Sequence, residues 1–331
     1  MSKNIVRKIF GSKSVILLIV TVCIVLFFYI LNPNYLGPDN IKGFFTSISL
    51  PGTLAVGLAC LMISGNMDLS AAAVSTVSGI IAAMILRAGA PWYVGLLGAI
   101  AFGALTGAFV SFLVNVIGLM SFIATIGMSS VYNGLSLILS KGENIAIGDK
   151  TFIKLGNAIV AGVPLPFIIL VVLFVVYGII LSNTRFGRMV YMCGGNRGAL
   201  RLAGVNPKRI VTALFINSGA IAGLAGAIVA ARLNTGSPRA ATGVDMSAIS
   251  AIILGGVSFM GGTGTMSGAF IGLLLINSFN NGLQAVGLQA YWHSVAKGLL
   301  LIVALLFDYF STVSTEKSMK AEIRKTKFKE V

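Results

Sequence analysis

Long apolar runs recur along the chain, and short polar or Gly/Pro-rich breaks separate them. Each run is close to the roughly 20 residues a helix needs to cross a bilayer core. Their lengths predict spans near 14–32, 44–64, 69–88, 92–117, 120–140, 162–182, 209–232, 245–258, 264–285 and 293–311, of which the eighth is short. The predicted fold class is all-α: a polytopic transmembrane helical bundle of about ten spans. Eight spans plus re-entrant segments fit the same pattern. The longest hydrophilic stretch, about Ser182 to Lys208, is too short for a domain with its own core. The expected organisation is a tail over 1–13, one transmembrane domain over 14–311 with a polar loop at 183–208, and a basic tail over 312–331.

Composition narrows the class. Hydrophobic residues make up 56% of the chain, charged residues 10%, and mean hydropathy is +0.96. A soluble domain carries about 25% charged residues, so this apolar content needs lipid to cover it. Lys and Arg number 24 against nine Asp and Glu. The excess sits mainly in tails and in one loop between apolar runs, which marks topology rather than nucleic-acid binding. Arg185, Arg188, Arg197, Arg201, Lys208 and Arg209 fill the loop between spans six and seven, and Lys317, Lys320, Arg324, Lys325, Lys327 and Lys329 fill the C-terminal tail. With ten spans both fall on the side of Lys3, Arg7, Lys8 and Lys13, so both termini are expected in the cytoplasm. The first apolar run leads into Asn32-Pro33-Asn34-Tyr35 and not into a small-residue cleavage site, so it reads as a retained span.

Glycine recurs inside the spans. Gly219, Gly223 and Gly226, and likewise Gly268 and Gly272, have helical spacing, as expected where helix backbones approach closely in lipid. Two breaks look alike: Ser64-Gly65-Asn66-Met67-Asp68-Leu69-Ser70 and Met260-Gly261-Gly262-Thr263-Gly264-Thr265. Interrupted segments in corresponding halves point to an internal repeat. Gly65, Asp68, Ser70, Gly255, Gly256, Gly261 and Gly262 are the expected structural residues of these breaks, with Asp68 as a cap near the start of span three.

Absences exclude several classes. There is no G-x-x-x-x-G-K-[ST] motif for a phosphate-binding loop, no H-E-x-x-H and no G-x-S-x-G, and His293 is the single histidine. No metal site, catalytic residue or bound cofactor is expected. The cysteines, Cys23, Cys60 and Cys193, have neither metal nor disulfide spacing. Ionisable groups along the spans are few: Asp68 sits at a span boundary, and Asp308 and Lys297 lie in the last span without making an evident relay. Proton- or ion-coupled carriers keep such groups along a pathway, so the chain lacks an evident energy source of its own.

The most distinctive segment is T-R-F-G-R-M-V-Y-M-C-G-G-N-R-G-A-L-R-L-A-G-V-N, Thr184 to Asn206. It predicts a turn at Gly194-Gly195 and a short helix capped by Asn196. Ala199, Leu200, Leu202 and Ala203 give that helix a small apolar face, and Gly204 ends it. Here the sequence resembles the ABC importer permeases of the ribose/xylose/galactoside type. The resemblance continues through G-N-M-D-L-S (Gly65 to Ser70), S-F-I-A-T-I-G-M (Ser121 to Met128), S-G-x-x-A-G-L-A-G (Ser218 to Gly226), A-x-x-L-G-G-x-S-x-M-G-G-x-G-T (Ala251 to Thr265) and N-G-L (Asn281 to Leu283). Asn66, Ala71-Ala72, Ser129-Ser130 and Asn133-Gly134 depart from the family's usual residues.

The resemblance implies the membrane-spanning subunit of a bacterial inner-membrane importer for a monosaccharide, a ribose-like pentose or a hexose. It implies two cytosolic ABC ATPase subunits holding ATP and Mg, an extracytoplasmic sugar-binding protein, and a second permease copy or paralogue. The same architecture could carry a nucleoside, a signalling furanose or an amino acid, and a secondary transporter or channel is the other class. Gly194, Gly195, Asn196, Ala199, Leu200, Leu202 and Gly204 are the residues implied in ATPase coupling. Asn115, Phe122, Thr125 and Asn133 combine polar and aromatic character on spans four and five, as a sugar pathway requires. Polar residues that glue helices together are the more ordinary reading of each.

Overall fold

The computed structural model describes residues 13–289 and, beyond them, Trp292, Val295, Gly298, Leu299, Ile302 and Leu306. Most of the expected tenth span, including His293, Lys297 and Asp308, and most of both tails fall outside these residues.

The described residues form twelve helices. They are α1 (Lys13–Leu31), α2 (Pro38–Ile63), α3 (Ala71–Arg87), α4 (Trp92–Phe112), α5 (Ser121–Ser140), α6 (Lys150–Asn157), α7 (Leu165–Asn183), α8 (Arg185–Gly195), α9 (Arg197–Leu202), α10 (Pro207–Leu233), α11 (Val244–Leu254) and α12 (Met266–Ala285). Nine of the ten apolar runs coincide with one of these helices. By length and composition, five of them, α2, α4, α5, α7 and α10, are long and apolar enough to cross a membrane, α4 with its π-helical extension Leu113–Ile117. The eleven residues of α11 rise only about 16 Å, half a bilayer core.

Helix starts follow local chemistry. Asp149 accepts from the backbone N–H groups of Thr151 and Phe152 to cap α6, and proline opens α2 and α10, where its missing N–H costs no helical bond. Two minimal antiparallel ladders complete the fold. Ile145–Ala146 (β1) pairs with Thr235–Gly236 (β4), and Ile159–Val160 (β2) pairs with Val163–Pro164 (β3).

Hydrogen bonds sort the loops into two ends. At one end Met67 N donates to Ser121 Oγ at 3.2 Å, Asn115 Nδ2 to the Lys208 carbonyl at 3.2 Å, and Gly262 N to the Ile63 carbonyl at 2.8 Å. These bonds gather the α2–α3, α4–α5, α7–α10 and α11–α12 connections. At the other end Asn32 Nδ2 bonds the Ala285 carbonyl at 2.6 Å, Thr235 Oγ1 the Ile145 carbonyl at 3.0 Å, and Asn157 Nδ2 the Ala231 carbonyl at 2.9 Å.

Helix α10 is the axis of the bundle and packs against α2, α3, α4 and α6. Its glycines allow the approach. A Cβ on Gly219 would lie 2.0 Å from the Gly103 carbonyl oxygen of α4, and one on Gly226 1.9 Å from the Ser75 carbonyl oxygen of α3. Gly272 meets the Ala251 carbonyl in the same way, at 2.1 Å, where α12 crosses α11. The glycine spacing therefore serves packing, as the sequence predicts. Replacing Gly219 with Leu should force α4 and α10 apart and cost about 1–3 kcal/mol or more, seen as a lower unfolding midpoint in detergent. Gly43→Ala, with nothing within 4 Å of the added Cβ, should hold that midpoint or raise it, since alanine favours the helix over glycine.

Candidate functional site

The 184–206 segment folds largely as its residues dictate. Thr184 Oγ1 accepts from Gly187 N at 3.1 Å and starts α8, and Asn196 Oδ1 accepts from Ala199 N at 2.9 Å and starts α9. Gly204 closes α9 with φ of +78°. Its N–H bonds the Arg201 carbonyl, and Val205 N bonds the Leu200 carbonyl, the pattern of a left-handed helix stop. One expectation needs correction. Gly194 and Gly195 do not form a turn; they are the last turn of α8, and the chain breaks at Asn196, whose φ of −156° is extended. The expected apolar face is also divided. Leu200 is 1% exposed and packs into the core, whereas Leu202 is 92% exposed and Ala199 and Ala203 are exposed beside it.

Gly194 ends helical because it is wedged between the two sequence breaks. A Cβ there would lie 2.0 Å from the Ile63 carbonyl oxygen and 2.4 Å from Gly262 N. Those two atoms bond each other at 2.8 Å. Gly261 and Gly262 hold left-handed φ values of +86° and +77°, and a Cβ on Gly261 would lie 2.7 Å from Gly65 Cα. Tyr191, one turn before Gly194, donates its hydroxyl to the Gly264 carbonyl at 2.7 Å. Sequence reasoning singled out the glycines separately and missed Tyr191 and Ile63. No local signal links residues so far apart in the chain.

The remaining structural candidates lie close by. Asp68 is buried, and its Oδ1 accepts from Ser70 N at 2.9 Å and Ser70 Oγ at 2.6 Å. It shapes the entry to α3, whose first residue is Ala71, and does not bond the N–H groups of the first helical turn. Gly255 crosses Gly268 of α12, whose carbonyl oxygen a Cβ would meet at 2.4 Å. Gly256, at φ of +85°, ends α11.

The four pathway candidates are not brought together. Phe122 and Asn133 are exposed on one face of α5, about three turns apart. Thr125 is buried and donates to the Ser121 carbonyl at 2.8 Å. Asn115 donates its amide to Ser111 Oγ, Thr212 Oγ1 and the Lys208 carbonyl, tying the end of α4 to α10. Cys193 is buried next to Gly194, and burial pushes its thiol up while Arg197 works against the shift. No group of three or more His, Cys, Asp or Glu able to hold a metal occurs among the described residues.

A helical bundle with membrane-length apolar helices, interrupted helices and a basic capped loop is the architecture of an integral membrane permease. Residues 40–305 match the family described as the permease component of the branched-chain amino acid transport system, and the chain belongs to this family. It is 33% identical over 278 residues to the L-arabinose ABC transporter permease protein of Azospirillum brasilense, covering 84% of this chain and 82% of that one. It is 32% identical over 308 residues to the ribose import permease protein of Haemophilus influenzae, covering 92% and 94%. It is 33% identical over 301 residues to the ribose import permease protein of Escherichia coli K12, covering 90% and 93%. No solved structure matches the chain.

Asn196→Ala removes the acceptor for Ala199 N and should destabilise α9 by about 1 kcal/mol. Amide exchange over 197–205 should then quicken severalfold while exchange in α10 stays unchanged.

Proposed function

We propose that this chain is the membrane-spanning subunit of an ABC importer that moves a monosaccharide, a ribose-like pentose or a hexose, into the bacterial cytoplasm. The observation that carries this reading is the near full-length similarity to permeases named for ribose and arabinose. The family's own description favours a second reading, an amino acid as solute. The sugar-named relatives are the more specific guide.

In this reading the chain crosses the inner membrane ten times, with both termini and the 184–206 end in the cytoplasm. The positive residues of that loop supply the orientation signal. ATP and Mg are held by partner subunits, and this chain carries no cofactor and makes or breaks no covalent bond. A binding protein delivers the sugar at the end holding β1 and β4, and a second permease copy or paralogue completes the pathway.

Helix α9 is the docking element. Its Asn196 cap and Gly204 stop fix its ends, Leu200 anchors it to the bundle, and Leu202, with Ala199 beside it, stands out to meet the ATPase. Arg197 and Arg201 flank that patch. Nucleotide binding shifts the population between outward- and inward-open states only through contacts that differ between them. Phe122 and Asn133 on the exposed face of α5 are the better pathway candidates. The amide of Asn115 is already taken, and Thr125 is turned into the bundle.

Two measurements test this. Purified in mild detergent from its native membrane, the chain should bring down a soluble subunit with a phosphate-binding loop. Vesicles holding that complex and its binding protein should accumulate labelled ribose or arabinose only with ATP. Uptake of leucine in place of either sugar would move the solute to the second reading, and uptake by the chain alone without ATP would refute the importer. Leu202→Asp should reduce recovery of the ATPase by about tenfold or more, because an unpaired charge would be buried at the contact. The amount of chain in the membrane should not change, since the side chain touches solvent.

A further inference from the structure

The last turn of α8 meets both helix breaks at the level of backbone atoms. Gly194 sits against the Ile63 carbonyl at the end of α2 and against Gly262 N in the α11–α12 break. Those two atoms share a hydrogen bond, so the two breaks are joined to each other at the same point. Gly261 lies on Gly65, and a Cβ on Gly262 would be 2.9 Å from Gly195 Cα. Tyr191 adds a tie from α8 to the Gly264 carbonyl. The second break is closed on itself as well, by Ser258 N to the Thr263 carbonyl at 3.1 Å. No flexible side chain intervenes at the glycine contacts, so they cannot absorb a displacement by changing rotamer.

We infer that Gly194, Gly262 and Tyr191 are the positioning residues that couple α9 to the bundle: they lock the end of α8 and the two helix breaks into one body, so that a movement imposed on α9, which is tied to α8 by Arg197 Nε on the Cys193 carbonyl at 3.3 Å, displaces the α2–α3 and α11–α12 breaks together. The inference rests on the importer reading. It extends that reading from where the ATPase docks to how its movement enters the bundle. It also ranks two adjacent glycines that the sequence motif treats alike. A Cβ on Gly194 would collide with backbone on two sides, whereas one on Gly195 would lie 3.8 Å from Gly262 Cα, an ordinary contact.

The test is the ratio of sugar imported to ATP hydrolysed, measured with the complete complex in vesicles. A loss of folded protein lowers both quantities in proportion and leaves the ratio alone. Gly194→Ala should lower the ratio about tenfold, because the added atom must separate close-packed backbone that cannot yield. Gly195→Ala should lower it far less. Tyr191→Phe, which keeps the ring and removes one hydrogen bond, should lower it about fivefold, the equilibrium equivalent of one net bond. It also serves if Gly194→Ala fails to assemble. Amide exchange on the chain alone supplies an independent readout. In Gly194→Ala or Tyr191→Phe, exchange should rise in both 61–70 and 256–265 and stay unchanged in 141–164. An unchanged ratio in Tyr191→Phe, an equal loss at Gly194 and Gly195, or a rise in exchange confined to α8 and α9 would overturn the inference and leave the importer reading standing. A wild-type chain with no ATP-driven uptake would remove both.

Discussion

A helix that stops inside an apolar bundle leaves backbone groups with no water to bond, and each such group costs several kcal/mol unless the protein itself supplies a partner. This chain stops two helices that way, α2 at Ile63 and α11 at Leu254. It satisfies the Ile63 carbonyl from the other break, through Gly262 N at 2.8 Å. The bond forms because neither break carries bulk where they meet, and because α8 presents a glycine to the same point. Placement of the polar segment 184–206 follows from this junction, since α8 has to end where Ile63 and Gly262 meet.

The helical bundle was legible in advance because a membrane span announces itself locally, by the length of an apolar run. The caps of α9 were legible for a related reason, since Asn196 and Gly204 each act within a few residues of themselves. The glycine spacing on α10 and α12 likewise gave the right role. What could not be read was which surfaces meet. Gly194 looked like a turn because a Gly-Gly pair usually is one; its true partner atoms belong to residues 63 and 262, and no periodicity connects these positions. Asn115 could be read as a pathway residue or as glue between helices, and only the structure shows Ser111, Thr212 and Lys208 occupying its amide, which makes it glue. Exposure divided Leu200 from Leu202 although both lie on one short apolar stretch.

In the proposed importer, that division gives α9 two separate jobs within six residues. Leu200 is a core residue, and its packing holds α9 on the bundle against the pull of solvent around Arg197 and Arg201. Leu202 contributes nothing to this chain's own core. Exposure of a large aliphatic side chain beside two cations is costly to leave in water and inexpensive to cover with protein. The ordering of the helix by its cap also spares a partner that entropic cost on docking.

The segment between α5 and α7 makes a demand on biosynthesis. Phe152 is fully buried in a cluster with Ile80 and with Ala227, Ala230 and Ala231 of α10, and β1 finds its partner strand only at Thr235–Gly236. The segment from Lys141 to Pro164 therefore has only the α3 and α4 part of its packing surface while the ribosome is still making α7, α8 and α9. Helices α3 and α4 also wait, since the glycine faces they present are complementary to a helix not yet synthesised. The first half of the chain therefore lacks its central packing partner until residue 233 has been made. Consolidation of the first half is then expected late, once α10 is in place.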